Sequence, residues 1–508
     1  MIYLIHRDNT ILKVLNSEFK EVAFEIKASI SITLFELAIK HPEELILWCH
    51  EAYVSYINKV DLDVIFHHKQ ILASFSVSGK YYISDDIGYI DQSVFVNVNK
   101  EVCYPTWLMS SDVGGVSAQF LNSITKEVIK FENFDYFLTS MAKLTMSEGV
   151  FCYSEPKLLI EKPSVLVEVQ EISKHELFKF VKQHYKWVWV WMLFLCYAIF
   201  ERKVILLPLL KSIFYKRIIL KLKEATIQST NKVVSKKEMD IIIPTIGRKK
   251  YLYDVLKDLS NQTVLPKNVI IVEQNPLPES VTELDFLTTE SWPFNIKHTF
   301  THKTGVCNAR NIAQKQVESE WVFLNDDDNR FVENLIESVF DKANQFGIVA
   351  VTTACLQVGE EPTLSQVHQT GIFGSGSSFV KTEFLNQVSF NLALEFGYGE
   401  DFDFGMALRN KGVDVVYCPD IRITHLKAPF GGFRTKLKQL WDDEVIQPKP
   451  SPTVMYAFLK HYTKKQLLNY KLVLFLRLIK KESIFNYWSF VKAFKIKWSA
   501  SLYWAKKL

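Results

Sequence analysis

An apolar run that ends on three consecutive carboxylates, Trp321-Val322-Phe323-Leu324-Asn325-Asp326-Asp327-Asp328, constrains this chain more than any other stretch. Consecutive apolar residues of this type predict a short strand buried on both faces, as in a parallel sheet covered by helices. The acids then lie at the carboxyl edge of that sheet, where open α/β folds bind ligands. Carboxylates this close repel one another unless a cation sits among them. Hard oxygen donors suit a divalent metal holding a diphosphate. The alternative is a solvated acidic loop that caps the helix predicted over Phe331 to Phe340.

The flanking segments predict the rest of such a sheet. Asp240-Ile241-Ile242-Ile243-Pro244 and Asn268-Val269-Ile270-Ile271-Val272-Glu273 read as short buried strands. Between them, Leu252, Val255, Leu256 and Leu259 recur at helical spacing, and Asn308 to Val317 reads as a second helix. Strands alternating with helices give a mainly parallel sheet with helices on both faces. The chain has 508 residues, room for about three domains. Its 48% apolar and 23% charged residues are globular values, and a net charge of +4 argues against a nucleic-acid partner. Seven cysteines, an odd number without a CxxC pair, fit core thiols in a reducing compartment, hence a cytoplasmic location. The residues Met1 to Arg7 lack a signal-peptide pattern. Trp187 to Phe200 is apolar all round but only 14 residues long, against about 20 for a span. It predicts either a buried core helix or an interfacial segment.

The two halves of the chain match in order. Glu44-Leu45-Ile46-Leu47-Trp48-Cys49-His50-Glu51 has the shape of the triple-aspartate segment. Gly149 to Pro156 parallels Gly412 to Pro419, Phe134-Asp135 parallels Phe402-Asp403, and Lys182-Gln183-His184-Tyr185 parallels Leu459-Lys460-His461-Tyr462. Collinear matches favour one duplicated unit over chance similarity. The first copy carries Cys49-His50-Glu51 where the second has its aspartates, so no metal site is expected there.

Further residues in the second half point to chemistry. In Gly397-Tyr398-Gly399-Glu400-Asp401-Phe402-Asp403-Phe404, paired acids follow a glycine-rich turn and open a helix. An acid at a helix N-terminus stays ionised and suits a general base, although it could equally be a cap. His425 ends an alternating strand, where a neutral imidazole is a good metal ligand. Lys427, Pro429, Gly431, Gly432 and Arg434 follow it; glycines admit a phosphate closely, and Lys and Arg neutralise a leaving diphosphate. Upstream, Pro244-Thr245-Ile246-Gly247-Arg248, Glu273-Gln274-Asn275 and Gly305-Val306-Cys307-Asn308-Ala309-Arg310-Asn311 offer strand-edge acids and amides that could hold a ribose and a base. Gly371 to Gly376 reads as a tight acceptor-side loop or a plain turn.

Taken in order, these motifs resemble the family 2 glycosyltransferases, inverting enzymes of the GT-A fold, over about residues 239 to 435. The resemblance implies a GT-A nucleotide-sugar-binding domain over 236–445, an α/β fold with helices on both faces of the sheet. A degenerate GT-A-like domain over 1–170 and a helical segment and linker over 171–235 precede it, and a basic aromatic helical tail over 446–508 follows. It implies Asp401, with Glu400 beside it, as the catalytic acids. It implies Asp326, Asp328 and His425 as ligands of Mn2+ or Mg2+. Pro244, Thr245, Arg248, Glu273, Asn275, Arg310, Asp326, Asp327, Lys427 and Arg434 would bind the nucleotide sugar, a UDP-sugar first among candidates. Glu273 departs from the family's usual aspartate, which leaves the nucleotide open. The expected reaction moves a sugar from a nucleoside-diphosphate donor to a hydroxyl of a saccharide or lipid-linked acceptor, in surface polysaccharide or glycolipid synthesis.

The tail after each copy mixes Lys with Trp and Tyr, as at Tyr487, Trp488, Phe490, Phe494, Lys495, Lys497, Trp498, Tyr503 and Trp504. Such a stretch either lies on the cytoplasmic face of an anionic membrane or packs on the catalytic domain. Two other functions compete. A sugar nucleotidyltransferase would carry a glycine-rich basic loop after its first strand, and Pro244 to Lys250 has one glycine. A non-catalytic sugar-binding or scaffolding protein would need the ordered acids to be accidental.

Overall fold

The apolar runs become the strands of two sheets, one in each of the two units into which the chain divides. The first unit is Met1–Asn231 with Tyr462–Leu474, and the second is Lys232–His461 with Phe475–Leu508. The computed structural model describes residues 1–23, 29–93, 97–124, 133–220, 222, 226–429, 438–480 and 487–508.

In the first unit the strands are β1 (Ile2–Arg7), β2 (Thr10–Leu15), β3 (Leu45–His50), β4 (Ile71–Phe75), β5 (Tyr104–Pro105), β6 (Val113–Ser117) and β7 (Phe151–Ser154). Their order is β2-β1-β3-β6-β4-β7-β5. β1 runs parallel to β3 and β4 parallel to β7, while β6 opposes both its neighbours. The start of β6 therefore lies at the carboxyl edge of the other four. The unit's helices include α1 (Phe134–Thr145), α2 (Lys174–His184), α3 (Val188–Cys196) and α4 (Leu206–Ser212). α2 starts on a capping box, with Ser173 and Glu176 each bonded to the other's backbone N–H. The Trp187–Phe200 run forms α3 and the turn after it. It is neither wholly buried nor wholly free: Val190, Met192, Leu193 and Cys196 are buried, whereas Trp187, Val188 and Trp191 are exposed.

The second unit holds β8 (Met239–Thr245), β9 (Asn268–Gln274), β10 (Asn295–Thr301), β11 (Trp321–Asn325), β12 (Asn329–Arg330), β13 (Ala350–Leu356), β14 (His368–Gln369), β15 (Ser377–Lys381) and β16 (Val416–His425). The order is β10-β9-β8-β11-β15-β13-β16-β12, with β14 on β16. β8, β9 and β11 are buried along their whole length, as their apolar runs require. Its helices include α5 (Lys249–Ser260), α6 (Val306–Gln314), α7 (Leu335–Phe346), α8 (Glu400–Arg409), α9 (Pro452–His461) and α10 (Tyr487–Ala505). α5 buries Leu252, Val255, Leu256 and Leu259, the residues whose spacing predicts it. One core joins Ile242, Ile270, Val272 and Leu324 of the sheet to Cys307, Ala309 and Ala313 of α6 and to Phe404 and Leu408 of α8. The small residues on α6 let it sit close over the strands, which brings its N-terminus to the carboxyl edge.

The strand directions assemble that edge. β8 is parallel to β9 and β11, β15 opposes β11 and β13, and β13 is parallel to β16. The carboxyl ends of β8, β9, β11 and β16 thus meet the start of β15. The run β8-β11-β15-β13-β16 has the same chain order and the same succession of pairings as β1-β3-β6-β4-β7 in the first unit.

One face of the aromatic tail packs inward in the second unit. α10 buries Phe494, Trp498, Ser501 and Ala505, and Phe475 meets Phe490 at a tilt and Phe494 edge-on, with ring centroids 5.5 and 5.2 Å apart. Trp488 and Tyr503 stay exposed. Among the described residues, no helix is long and apolar enough to cross a membrane.

Candidate active site

β11 ends at Asn325, and Asp327 and Asp328 lie in the turn that leads to β12. The turn sends their carboxylates to different partners. Asp327 turns toward the loop after β8. Its carboxylate accepts from Thr245 Oγ1 and from Arg248, both at 2.7 Å. Burial pushes its pKa up to about 6, although Arg248 and Thr245 oppose the shift. This buried trio ties the β8 loop to the triple aspartate.

Asp326 and Asp328 face β16. β12 pairs with β16 so that Asn329 lies opposite His425, which sets the imidazole beside Asp328. His425 Nε2 is 3.3 Å from Asp328 Oδ1, an oxygen that no well-directed hydrogen bond reaches. Asp328 Oδ2 accepts from the Ala428 N–H at 2.8 Å. Burial alone would raise the Asp328 pKa, but His425, the Ala428 N–H and Arg248 hold it below the usual carboxylate range. The same contact with Asp328 raises the His425 pKa. One ligand atom each from Asp326, Asp328 and His425 lie within 4.8 Å of one another. Two carboxylates and an imidazole, with a buried oxygen lacking a good donor, fit a divalent cation.

Asp326 is held from the opposite side. Arg310, buried on α6, donates to Asp326 Oδ1 at 2.9 Å. A Cβ at Gly376, just before β15, would overlap the Asp326 carboxylate, so only glycine allows that approach.

Asp401 reaches the same edge from the first turn of α8. Both donors of Ser375, its N–H at 2.9 Å and its hydroxyl, bond to Asp401 Oδ1. Oδ2 is left clear of Ser375. Burial raises the Asp401 pKa against the pull of Arg310 and Ser375. Glu400 beside it is pushed up to about 7 by burial and by the Asp401 charge. α8 is braced further along: Asp403 accepts from His461 Nε2 at 2.6 Å and from Lys460 at 2.8 Å, both on α9.

A cavity of about 640 Å³ lies at this edge. Of the residues expected from sequence, Pro244, Thr245, Arg248, Arg310, Asp326, Asp327, Asp328, Glu400, Asp401, His425 and Lys427 border it. Glu273 and Asn275 are not among the lining residues. Glu273 turns to the far face, where it holds His298 Nε2 at 2.9 Å and the Glu283 N–H at 3.1 Å. Asn275 closes a local turn onto the Leu277 N–H at 3.1 Å. Arg434 lies outside the described residues.

Sequence reasoning missed several groups. Gln274 is the strand-end residue of β9 that faces the cavity, and it accepts from the Gly305 N–H at 2.6 Å. β9 is buried on both faces, so alternation alone does not say whether Glu273 or Gln274 faces the cavity. Glu395 caps α6 through the Cys307 and Asn308 N–H groups, each at 2.9 Å. Tyr398 stands exposed at the cavity mouth. No local pattern marks either one.

The first unit has a counterpart to the Asp401 clamp. Asp135, second residue of α1, accepts from the Ser111 N–H at 2.8 Å and the Ser111 hydroxyl at 3.0 Å. Ser111 stands two residues before β6, as Ser375 does before β15. By position and partners Asp135 corresponds to Asp401. The shared Phe-Asp dipeptide instead pairs it with Asp403, because α1 begins at Phe134 and α8 begins two residues before Phe402.

Residues 240–408 match the family model described as glycosyl transferase family 2. His425 and Lys427 lie beyond that match. No curated protein matches the chain. Among solved structures, S. aureus TarS is 19% identical over 38% of this chain and 37% of its own, with a TM-score of 0.31. S. aureus TarS 1-349 in complex with UDP-GlcNAc is 16% identical over 50% of this chain and 79% of its own, TM-score 0.36. GalNAc-T7 with UDP, GalNAc and Mn2+ is 11% identical over 55% and 56%, TM-score 0.35. The chain spans 37% of the length of TarS and 60% of the TarS 1-349 structure. Residues 240–408, the part of the second unit that holds the strand-end acids and the clamped aspartate, are therefore a glycosyl transferase family 2 domain.

Proposed function

We propose that the second unit transfers a sugar from a nucleoside-diphosphate donor to a hydroxyl acceptor with inversion at the anomeric carbon. One observation carries the reading: Asp326, Asp328, His425 and Asp401 border a single cavity at the carboxyl edge of the sheet. Asp326, Asp328 and His425 would hold Mn2+ or Mg2+, whose chemistry there is charge neutralisation on the leaving diphosphate. Arg310 keeps Asp326 oriented, and Lys427 at the cavity mouth supplies a further cation toward the phosphates.

Asp401 is the base. Ser375 occupies its Oδ1, so Oδ2 is the oxygen that accepts the proton. A carboxylate whose pKa is raised by burial is a stronger base than one in water. The acceptor hydroxyl gives its proton to Asp401 as its oxygen bonds to the anomeric carbon. The bond from that carbon to the diphosphate oxygen breaks on the opposite face, and the electron pair leaves with the nucleoside diphosphate. Glu400, raised to about 7, is in part protonated at neutral pH and so adds less like charge beside Asp401 than a fully ionised acid would.

The first unit reads as a copy of the same fold. Its shared strand order and the Ser111–Asp135 clamp support this. The acceptor class is a saccharide or a lipid-linked sugar, with a role in surface polysaccharide or glycolipid synthesis on the cytoplasmic side. The test is Asp401→Asn. It should lower turnover by about 10²- to 10⁴-fold while nucleotide binding with Mn2+ persists. Near-normal transfer by this variant removes Asp401 from the role.

A further inference from the structure

Of the 37 large apolar side chains exposed among the described residues, eleven lie between Trp187 and Ile219. That is close to a third of them within 33 residues, so the concentration is not ordinary surface scatter. The segment comprises α3, α4 and their flanks. α3 is apolar on every side, yet Trp187 and Trp191 stand 66% and 45% exposed. α4 buries Leu209 and Ser212 and turns Leu206, Leu207 and Leu210 outward, with Phe214 just beyond it at 86% exposure. A helix apolar all round belongs inside a core or against lipid.

The charged side chains within this segment are basic with one exception. Lys186, Arg202, Lys203, Lys211, Lys216 and Arg217 are exposed around it. Glu201 is the one acid from Lys186 to Lys223, and it is engaged by Tyr89 Oη at 3.0 Å and Lys203 at 3.3 Å. Protein interfaces deplete lysine from their apolar centres, whereas bilayer-surface segments ring aliphatic and Trp side chains with Lys and Arg that reach the headgroups. α3 has nine residues and α4 seven, too few to span a hydrocarbon core.

We propose that the Trp187–Ile219 segment of the first unit docks the protein on an anionic bilayer surface, with Trp191, Leu207, Leu210 and Phe214 entering the interfacial layer and the basic ring meeting acidic headgroups. This stands apart from the transfer chemistry and holds whether or not the second unit turns over. It also places the membrane contact on the first unit, not on the C-terminal tail, where Trp488 is the most exposed aromatic among the described residues.

The test is flotation of the full chain with phosphatidylcholine vesicles, with and without phosphatidylglycerol. The protein should float with the anionic vesicles and do so less as salt rises. Trp191→Glu with Phe214→Glu should lower the vesicle-bound fraction by about tenfold or more without moving the melting temperature, since both side chains point to solvent. Trp488→Glu should bind like wild type. The proposal is overturned if wild type does not float, or if the double variant floats unchanged. It is also overturned if Trp488→Glu alone abolishes binding, or if the double variant only dissolves a dimer seen by sedimentation in the absence of vesicles.

Discussion

Replacing Gly376 with alanine probes the geometry of the site through one methyl group. The added Cβ would overlap Asp326 Oδ2 and Cγ and stand 2.8 Å from Oδ1, where ordinary contact begins near 3.4 Å. The backbone at 376 is pinned, since its carbonyl accepts from Asn329 Nδ2 at 2.7 Å and from the Asp326 N–H at 3.3 Å. The Asp326 side chain must therefore yield. Leaving its rotamer costs about 0.5–1.5 kcal/mol. Losing the charge-assisted bond from Arg310 costs about 1.5–3 kcal/mol, less what water returns to a carboxylate 36% exposed. The sum, roughly 2–4 kcal/mol, sits below the 5–15 kcal/mol that typically holds a domain, so the variant folds. The cation site loses one of its three groups. In a thermal-shift assay, a nucleoside diphosphate with Mn2+ at about 100 times its Kd should stabilise wild type by ~2.7 kcal/mol. For a unit of about 260 residues that is a rise of roughly 5 °C. Gly376→Ala should melt somewhat lower and show little of the Mn2+-dependent rise, with turnover reduced in parallel. A folded Gly376→Ala protein with the full wild-type Mn2+-dependent rise refutes the placement of Asp326 in the cation site.

Two further substitutions test the electrostatics. Glu400 has a folded pKa raised from 4.5 to about 7, so the native state holds more protons than the unfolded chain between those values. Its contribution to stability therefore falls as pH rises through that window, by on the order of 3 kcal/mol at most. Glu400→Gln should gain stability relative to wild type between pH 5 and 8 in urea titrations, and an equal difference at both pH values contradicts the shift. For Asp403, burial would raise the pKa, but His461 and Lys460 hold it below 3.8. That stability is present above the ordinary carboxylate value and is lost as pH falls through the lower, folded one. His461→Ala should cost on the order of 3 kcal/mol at pH 7 by leaving Asp403 half-paired. A loss under ~1 kcal/mol in chemical denaturation would mean that α9 does not brace α8 through this pair.

The candidate site was legible wherever an apolar run stops on a polar group. Asp326, Asp328 and His425 follow strands, and Asp401 opens a helix. Burial forces strands into the sheet interior and leaves their ends at its edge, so the residue order alone marks these positions. The periodicity of α5 and the β/α alternation of 239–325 were readable for the same reason. Glu273 and Asn275 show where this fails. The strand β9 is plain from its sequence, but which of Glu273 and Gln274 faces the cavity depends on the phase of alternation, and neighbouring elements set that phase. The Phe-Asp dipeptide shared by Asp135 and Asp403 likewise did not reveal where each helix begins, since Asp135 is the second residue of its helix and Asp403 the fourth of its own.

The amino-acid sequence by itself determined that strands would end on acids and that residues 240–408 would carry a family 2 pattern. Local burial preferences and short-range order suffice for that. Only the tertiary structure decided which side each acid faces. It turned Asp327 onto Thr245 and Arg248, set His425 beside Asp328 through the β12–β16 pairing, clamped Asp401 with Ser375, and left the Trp187–Ile219 surface uncovered. Each of these depends on partners tens or hundreds of residues away, and such pairings are set by packing that no local pattern encodes.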